Sequence, residues 1–146
     1  KGLELIKENM AQIDLTSKFV KKFLSPNLNF EFAAEISAIA NSCIDVSDGL
    51  ISDLGHILEA SRVGGEINVE RIALVGAVED ALTWGDDYEL LITIPPGQKQ
   101  SLLEISERFD IDISEIGKIT RESDLRVIEK GSLISFSKPG YNHFNE

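Results

Sequence analysis

Cysteine occurs once in these 146 residues, at Cys43, so no internal disulfide framework holds the fold and an apolar core must do so. With Ile44 beside it, Cys43 is expected at a buried strand position rather than as a reactive thiol. Basic residues are also scarce: 14 Lys and Arg stand against 25 Asp and Glu, a net charge of −11. That balance argues against a nucleic-acid groove or an anionic membrane surface. No apolar run approaches the ~20 residues of a membrane span, and there is no secretory signal pattern, so a cytoplasmic protein is expected. A G-x-x-x-x-G-K-[ST] loop is absent, and no Lys or Arg neighbours Asp45 in the sequence, so any bound phosphate would need a metal ion to neutralise it. The first residue is Lys1 rather than methionine, and the chain is expected to be a processed or excised piece of something longer.

What is present suffices for one domain: 42% of residues are apolar, enough to bury a sizeable core. Residues 1–13 read as a short helix or connector. Residues 16–24 carry Phe19, Val20, Phe23 and Leu24 at helical spacing, closed near Ser25 and Pro26, and residues 30–41 are helical with Phe32, Ile36 and Ile39 on one face. Residues 42–46 read as a buried strand. From 50 to 62, Leu50, Ile51, Leu54, Ile57 and Leu58 form one stripe of a helix, His56 points away to solvent, and Gly64 and Gly65 stop it. Residues 66–69 alternate as a strand, and 72–82 are ambiguous. A strong strand at 89–94 ends in Pro95-Pro96-Gly97, a helix follows over 98–109, and strands are expected at 113–120, 125–129 and 133–136. Strands and helices intermix without strict alternation, which favours an α+β sandwich with a mixed sheet.

The stretch most suggestive of chemistry is Asp45-Val46-Ser47-Asp48-Gly49, an apolar run ending in two carboxylates and a hydroxyl just before a helix. Asp45 and Asp48 are hard oxygen ligands suited to Mg²⁺, and Ser47 can offer its hydroxyl to a phosphate or to the metal. The helix start adds unpaired N–H groups that favour an anion. The same residue types also cap helices, and the spacing alone leaves both readings open. One cap uses one side chain, however, and clustered carboxylates repel unless a cation sits between them.

A second acidic segment, Trp84-Gly85-Asp86-Asp87-Tyr88-Glu89, precedes the strongest strand, where Asp86 and Asp87 could hold a cation or form an ordinary polar turn. The tail, Gly140-Tyr141-Asn142-His143-Phe144, is aromatic, and its rings could stack on a flat heterocycle or pack on the domain.

In this order the three segments resemble the C-terminal domain of the thiamine-monophosphate kinases. Asp45-Val46-Ser47-Asp48-Gly49-Leu50, with Ser52 to Ser61 behind it, is similar to that family's D-[IV]-S-D-G-L and succeeding helix. Gly85 to Leu91 is similar to its G-[ED]-D-Y-E-L segment, and the tail to its closing G-Y-D-H-F. The likeness spans residues 43–144, with 1–42 a helical lead-in to a single C-terminal domain. It implies the three-layer α/β/α sandwich shared with aminoimidazole ribonucleotide synthetase and selenophosphate synthetase.

By that resemblance the full-length protein would transfer the γ-phosphoryl of ATP to thiamine monophosphate, with Mg²⁺, giving thiamine diphosphate directly and without a phosphoenzyme. Asp45 and Asp48 would be Mg²⁺ ligands, Ser47 would contact ATP, and Asp86 and Tyr141 would face the thiamine phosphate. An N-terminal domain with most of the nucleotide pocket is absent from residues 1–42, so the isolated chain is expected to be inactive and to expose an apolar face where that domain docks; a homodimer of the full-length form is compatible with this. The alternatives are the C-terminal half of another ATP-dependent synthase of the superfamily, or a non-catalytic binding module. Trp84, Asp86, Ile92 and Asn142 depart from the family's usual residues, and 64–84 is short for it.

Overall fold

The computed structural model describes residues 2–10, 12–26, 28–74 and 76–136. The tail with Tyr141, Asn142 and His143 therefore lies outside the described residues. The elements run α1 (Gly2–Glu8), α2 (Lys18–Leu24), α3 (Phe30–Ile36), β1 (Ser42–Asp45), α4 (Leu50–Ser61), β2 (Gly64–Asn68), α5 (Val78–Thr83), β3 (Leu90–Thr93), α6 (Lys99–Phe109), β4 (Gly117–Thr120), β5 (Leu125–Glu129) and β6 (Ser132–Ile134). No helix among the described residues is long and apolar enough to cross a membrane.

The α+β class and the mixed sheet are as the sequence predicts, but the strands divide between two sheets. β1 and β3 form an antiparallel ribbon, while the other four lie in the order β4-β2-β5-β6, with β2 and β5 parallel and the outer pairs antiparallel. Side-chain alternation then lets the ribbon serve two cores. Ile44 and Leu91, paired across it, pack into a cluster built by Leu50, Ile51, Leu54, Ile57 and Leu58 of α4, Leu82 of α5, and Ile67 and Val127 of the mixed sheet. Ile92 packs the other way, with Phe32 and Ile36 of α3 and Leu102 and Ile105 of α6. Helices thus cover both faces of the ribbon, and α4 lies between it and the mixed sheet.

Several boundaries differ from the sequence expectation. β1 is half-buried rather than buried, and Cys43 is exposed. It shares a face of the ribbon with Ile92, its cross-strand partner, and with the exposed Asp45 and Leu90. Partial desolvation, and then the neighbouring Asp45, push its thiol above its ordinary range. Helix α3 stops at Ile36, with turns carrying the chain to β1. Helix α4 ends at Arg62 in a left-handed conformation, with the Arg62 and Val63 N–H groups taking its last carbonyls, so Gly64 and Gly65 open β2 instead of stopping the helix. The ambiguous 72–82 region resolves in part into α5, whose Leu82 is fully buried.

Candidate metal-phosphate site

The chain leaves β1 at Asp45 and enters α4 at Leu50, and the turn between them is held from three directions. Gly49, the residue before α4, sits at φ 115°, and a Cβ there would lie 2.7 Å from the Thr83 carbonyl oxygen at the end of α5. Only glycine adopts that angle and tolerates that approach without strain. From inside α4, Asp53 reaches back: its Oδ2 accepts hydrogen bonds from the backbone N–H of Ser47 at 2.9 Å and of Asp48 at 3.1 Å. Gly49 offers α4 no capping side chain, and the Asp53 carboxylate instead satisfies two N–H groups of the turn that precedes the helix.

The third direction is the second acidic segment. Val46 N–H donates to the Glu89 carbonyl at 2.8 Å, Tyr88 N–H to the Val46 carbonyl at 2.9 Å, and Asp86 N–H to the Ser47 carbonyl at 3.0 Å. These bonds extend the β1–β3 pairing past its regular end and zip the two acidic loops together. Gly85 permits it, since a Cβ there would stand 1.7 Å from the Ser47 oxygen. Asp86 (φ 63°) and Tyr88 (φ 52°) both hold left-handed backbone, a strain that such packing must sustain. The Tyr88 hydroxyl donates to Asp86 Oδ1 at 3.1 Å, and that bond holds the phenol above its usual range.

Of the sequence-predicted residues, Asp45 closes β1, Ser47 and Asp48 lie in the turn after it, and Asp86 lies in the second loop, joined to that turn by backbone hydrogen bonds. Asp45 and Asp86 are exposed, Ser47 and Asp48 half-buried, and Tyr141 falls outside the described residues. Asp48 also shares a cluster with Asp53 and His56, each offering a ligand atom within 4.8 Å of the others. His56 is exposed as expected, yet it belongs to this group. Oxygen-rich donors of this kind fit a hard divalent cation such as Mg²⁺.

Two residues escaped the sequence reading. Asp53 falls on the buried stripe of α4, between Leu50 and Ile57, and an acid on an apolar face was the signal for it. Lys22 of α2 forms an ion pair with Glu89. Its charge opposes the desolvation that pushes the Asp87 carboxyl above its ordinary range, an upward shift to which Glu89 and Asp86 add. No sequence signal joined α2 to the acidic loop, because the contact is made only in the folded chain.

A ribbon flanked by helices, a mixed sheet beyond, and an acidic strand-to-helix turn zipped to a second acidic loop define an α+β domain that presents hard oxygen donors at a helix start. A family model described as "AIR synthase related protein, C-terminal domain" matches residues 5–130, and the chain belongs to that family. It is 34% identical to the thiamine-monophosphate kinase of Buchnera aphidicola subsp. Acyrthosiphon pisum, over 99% of this chain and 49% of the relative. To the Escherichia coli thiamine-monophosphate kinase it is 31% identical, over 98% of this chain and 48% of the relative. The chain spans about half the length of these curated relatives.

Among solved structures it is similar to thiamine-monophosphate kinase from Stenotrophomonas maltophilia, with a TM-score of 0.74, 29% identity and coverage of 86% of this chain and 45% of that one. It is equally similar to AaThiL complexed with AMPPCP and TMP, at a TM-score of 0.74, 27% identity and coverage of 98% and 47%. These likenesses agree with the fold and the family resemblance read from the three motifs.

Proposed function

We propose that this chain is the C-terminal half of an ATP- and Mg²⁺-dependent kinase that converts thiamine monophosphate to thiamine diphosphate. The observation that carries the reading is the meeting of the two acidic loops, with the Asp86 N–H on the Ser47 carbonyl at 3.0 Å. It brings the turn assigned to the nucleotide next to the segment assigned to the acceptor. A relative complexed with AMPPCP and TMP, whose fold this chain shares, supports the pair of ligands.

In this reading Asp45 and Asp48 hold the cation, Ser47 contacts ATP, and Asp86 and Tyr141 face the thiamine phosphate. When bound, the cation supplies the neutralisation that a chain of net charge −11 cannot give two anions. An oxygen of the acceptor phosphate attacks the γ-phosphorus, a new P–O bond forms, and the bond to the β–γ bridging oxygen breaks as ADP leaves. The acceptor is already ionised near neutral pH, so the chain needs to supply no general base and no nucleophile. Trp84, Tyr88 and Leu90 are exposed beside the loops, and the other half of the protein would cover them.

The test is Mg²⁺-dependent turnover of ATP and thiamine monophosphate by the full-length protein, with Asp45→Asn and Asp48→Asn alongside. Each substitution is expected to cost about 10²-fold or more in kcat while folding is retained. Wild-type turnover with both acids neutralised would overturn the reading, and loss of folding instead would favour a purely capping role.

A further inference from the structure

The geometry points to Asp53 as the positioning residue of the acidic turn, a carboxylate that fixes the Ser47–Asp48 peptide rather than one presented to a bound cation. This rests on the proposed kinase reading and deepens it, by giving a role to a residue that neither loop contains. Asp53 is 2% exposed, and among the described residues it is the one charged side chain in the buried set. Burying a carboxylate is costly unless hydrogen bonds satisfy it, and here Oδ2 takes the N–H groups of both Ser47 and Asp48.

The same peptide is gripped from the opposite side. Its carbonyl, on Ser47, accepts the Asp86 N–H, while its N–H, on Asp48, donates to Asp53. Rotation of this peptide would break one bond or the other, and Gly85 packs directly on the carbonyl oxygen. Ser47 and Asp48 therefore project from a backbone fixed before any ligand arrives, which is how a site avoids reorganising during reaction. The rival role is direct ligation, since a carboxylate oxygen of Asp53 lies within 4.8 Å of the ligand atoms of Asp48 and His56. Asparagine separates the two, because its amide oxygen can still accept both N–H groups but offers a cation no charge.

The experiment compares wild type, Asp53→Asn and Asp53→Ala in the full-length protein. It measures ATP and thiamine monophosphate turnover across a Mg²⁺ series, thermal melting, and amide hydrogen exchange at Ser47 and Asp48. For Asp53→Ala we expect the Mg²⁺ needed for half-maximal rate to rise about tenfold or more, and kcat to fall about 100-fold. KM for thiamine monophosphate should stay within about threefold, and both amides should exchange at least about tenfold faster. Asp53→Asn should recover both amide protection and most of the activity.

If Asp53→Asn is as impaired as Asp53→Ala while its amides stay protected, Asp53 is a ligand and the proposal is overturned. It is equally overturned if Asp53→Ala only lowers the melting temperature and keeps wild-type kcat and Mg²⁺ dependence. Should Asp53→Ala fail to fold, Asp53→Asn decides alone: activity and protection near wild type support positioning, and a collapse of activity with protection intact refutes it. If the wild type itself transfers no phosphoryl group, the kinase reading fails separately. Amide exchange then still decides the positioning role, because unchanged exchange in Asp53→Ala would refute it and lost protection would support it.

Discussion

At position 49 a single missing side chain shapes the candidate site. The φ of 115° and the Thr83 carbonyl 2.7 Å from where a Cβ would stand leave no room for alanine. Gly49→Ala is expected to lower stability by about 1–3 kcal/mol, read as a shift of the urea midpoint of this chain; an unchanged midpoint would contradict the strain argument. Residues whose roles are local in sequence were legible at this scale. Asp45, Ser47 and Asp48 announce themselves because three oxygen-bearing side chains fall within four positions, and Asp86 because it stands between a glycine and a strong strand. Asp53 was harder, since its partners are backbone amides that a sequence does not display. Lys22 was illegible, because only tertiary packing brings α2 to Glu89.

Among elements, the mixed sheet carries the clearest electrostatic feature. Glu66 of β2 faces Lys118 of β4 and Arg126 of β5 directly across the strands, with ion pairs at 3.0 and 3.4 Å. The hydrogen bond from Lys118, with the charges of both neighbours, holds the Glu66 carboxyl below its ordinary value of 4.5. Because the folded state lowers this pKa, the contribution is complete above about pH 4.5 and disappears as pH falls through the lowered value. Urea midpoints of wild type and Glu66→Gln should therefore differ modestly at pH 7 and converge at pH 3; a difference that grew on acidification would reverse the sign and refute this account. The pairing of Glu66 with both neighbours was not readable beforehand, since strand order depends on a parallel crossover from β2 to β5. The apolar members of the α4 stripe were readable, because helical spacing alone fixes a face, while the acid among them, Asp53, was not. Cys43 shows the converse: apolar neighbours indicated a strand but not which face of it would be covered.

For the whole molecule, the family and the class of fold were legible because three motifs in a fixed order carry more information than any one of them. The division of strands between two sheets was not, since local patterns say nothing about which strands pair. The chain spans about half the length of its curated relatives, and the proposed reaction needs the other half. Purified alone, these 146 residues should give no thiamine monophosphate phosphorylation above background in a coupled ATP assay, while the full-length protein does. Robust turnover by the isolated chain would overturn the division of labour proposed here.

The ribbon of β1 and β3 also imposes an order of events on folding. Its strands are far apart in the chain, with α4, β2 and α5 between them, so their pairing must wait for a long loop to close. The two acidic loops meet only once that closure has happened. A nascent polypeptide emerging from the ribosome would therefore have α4 available early and the joined acidic loops late, with an interval in which β1 is exposed and without its mate.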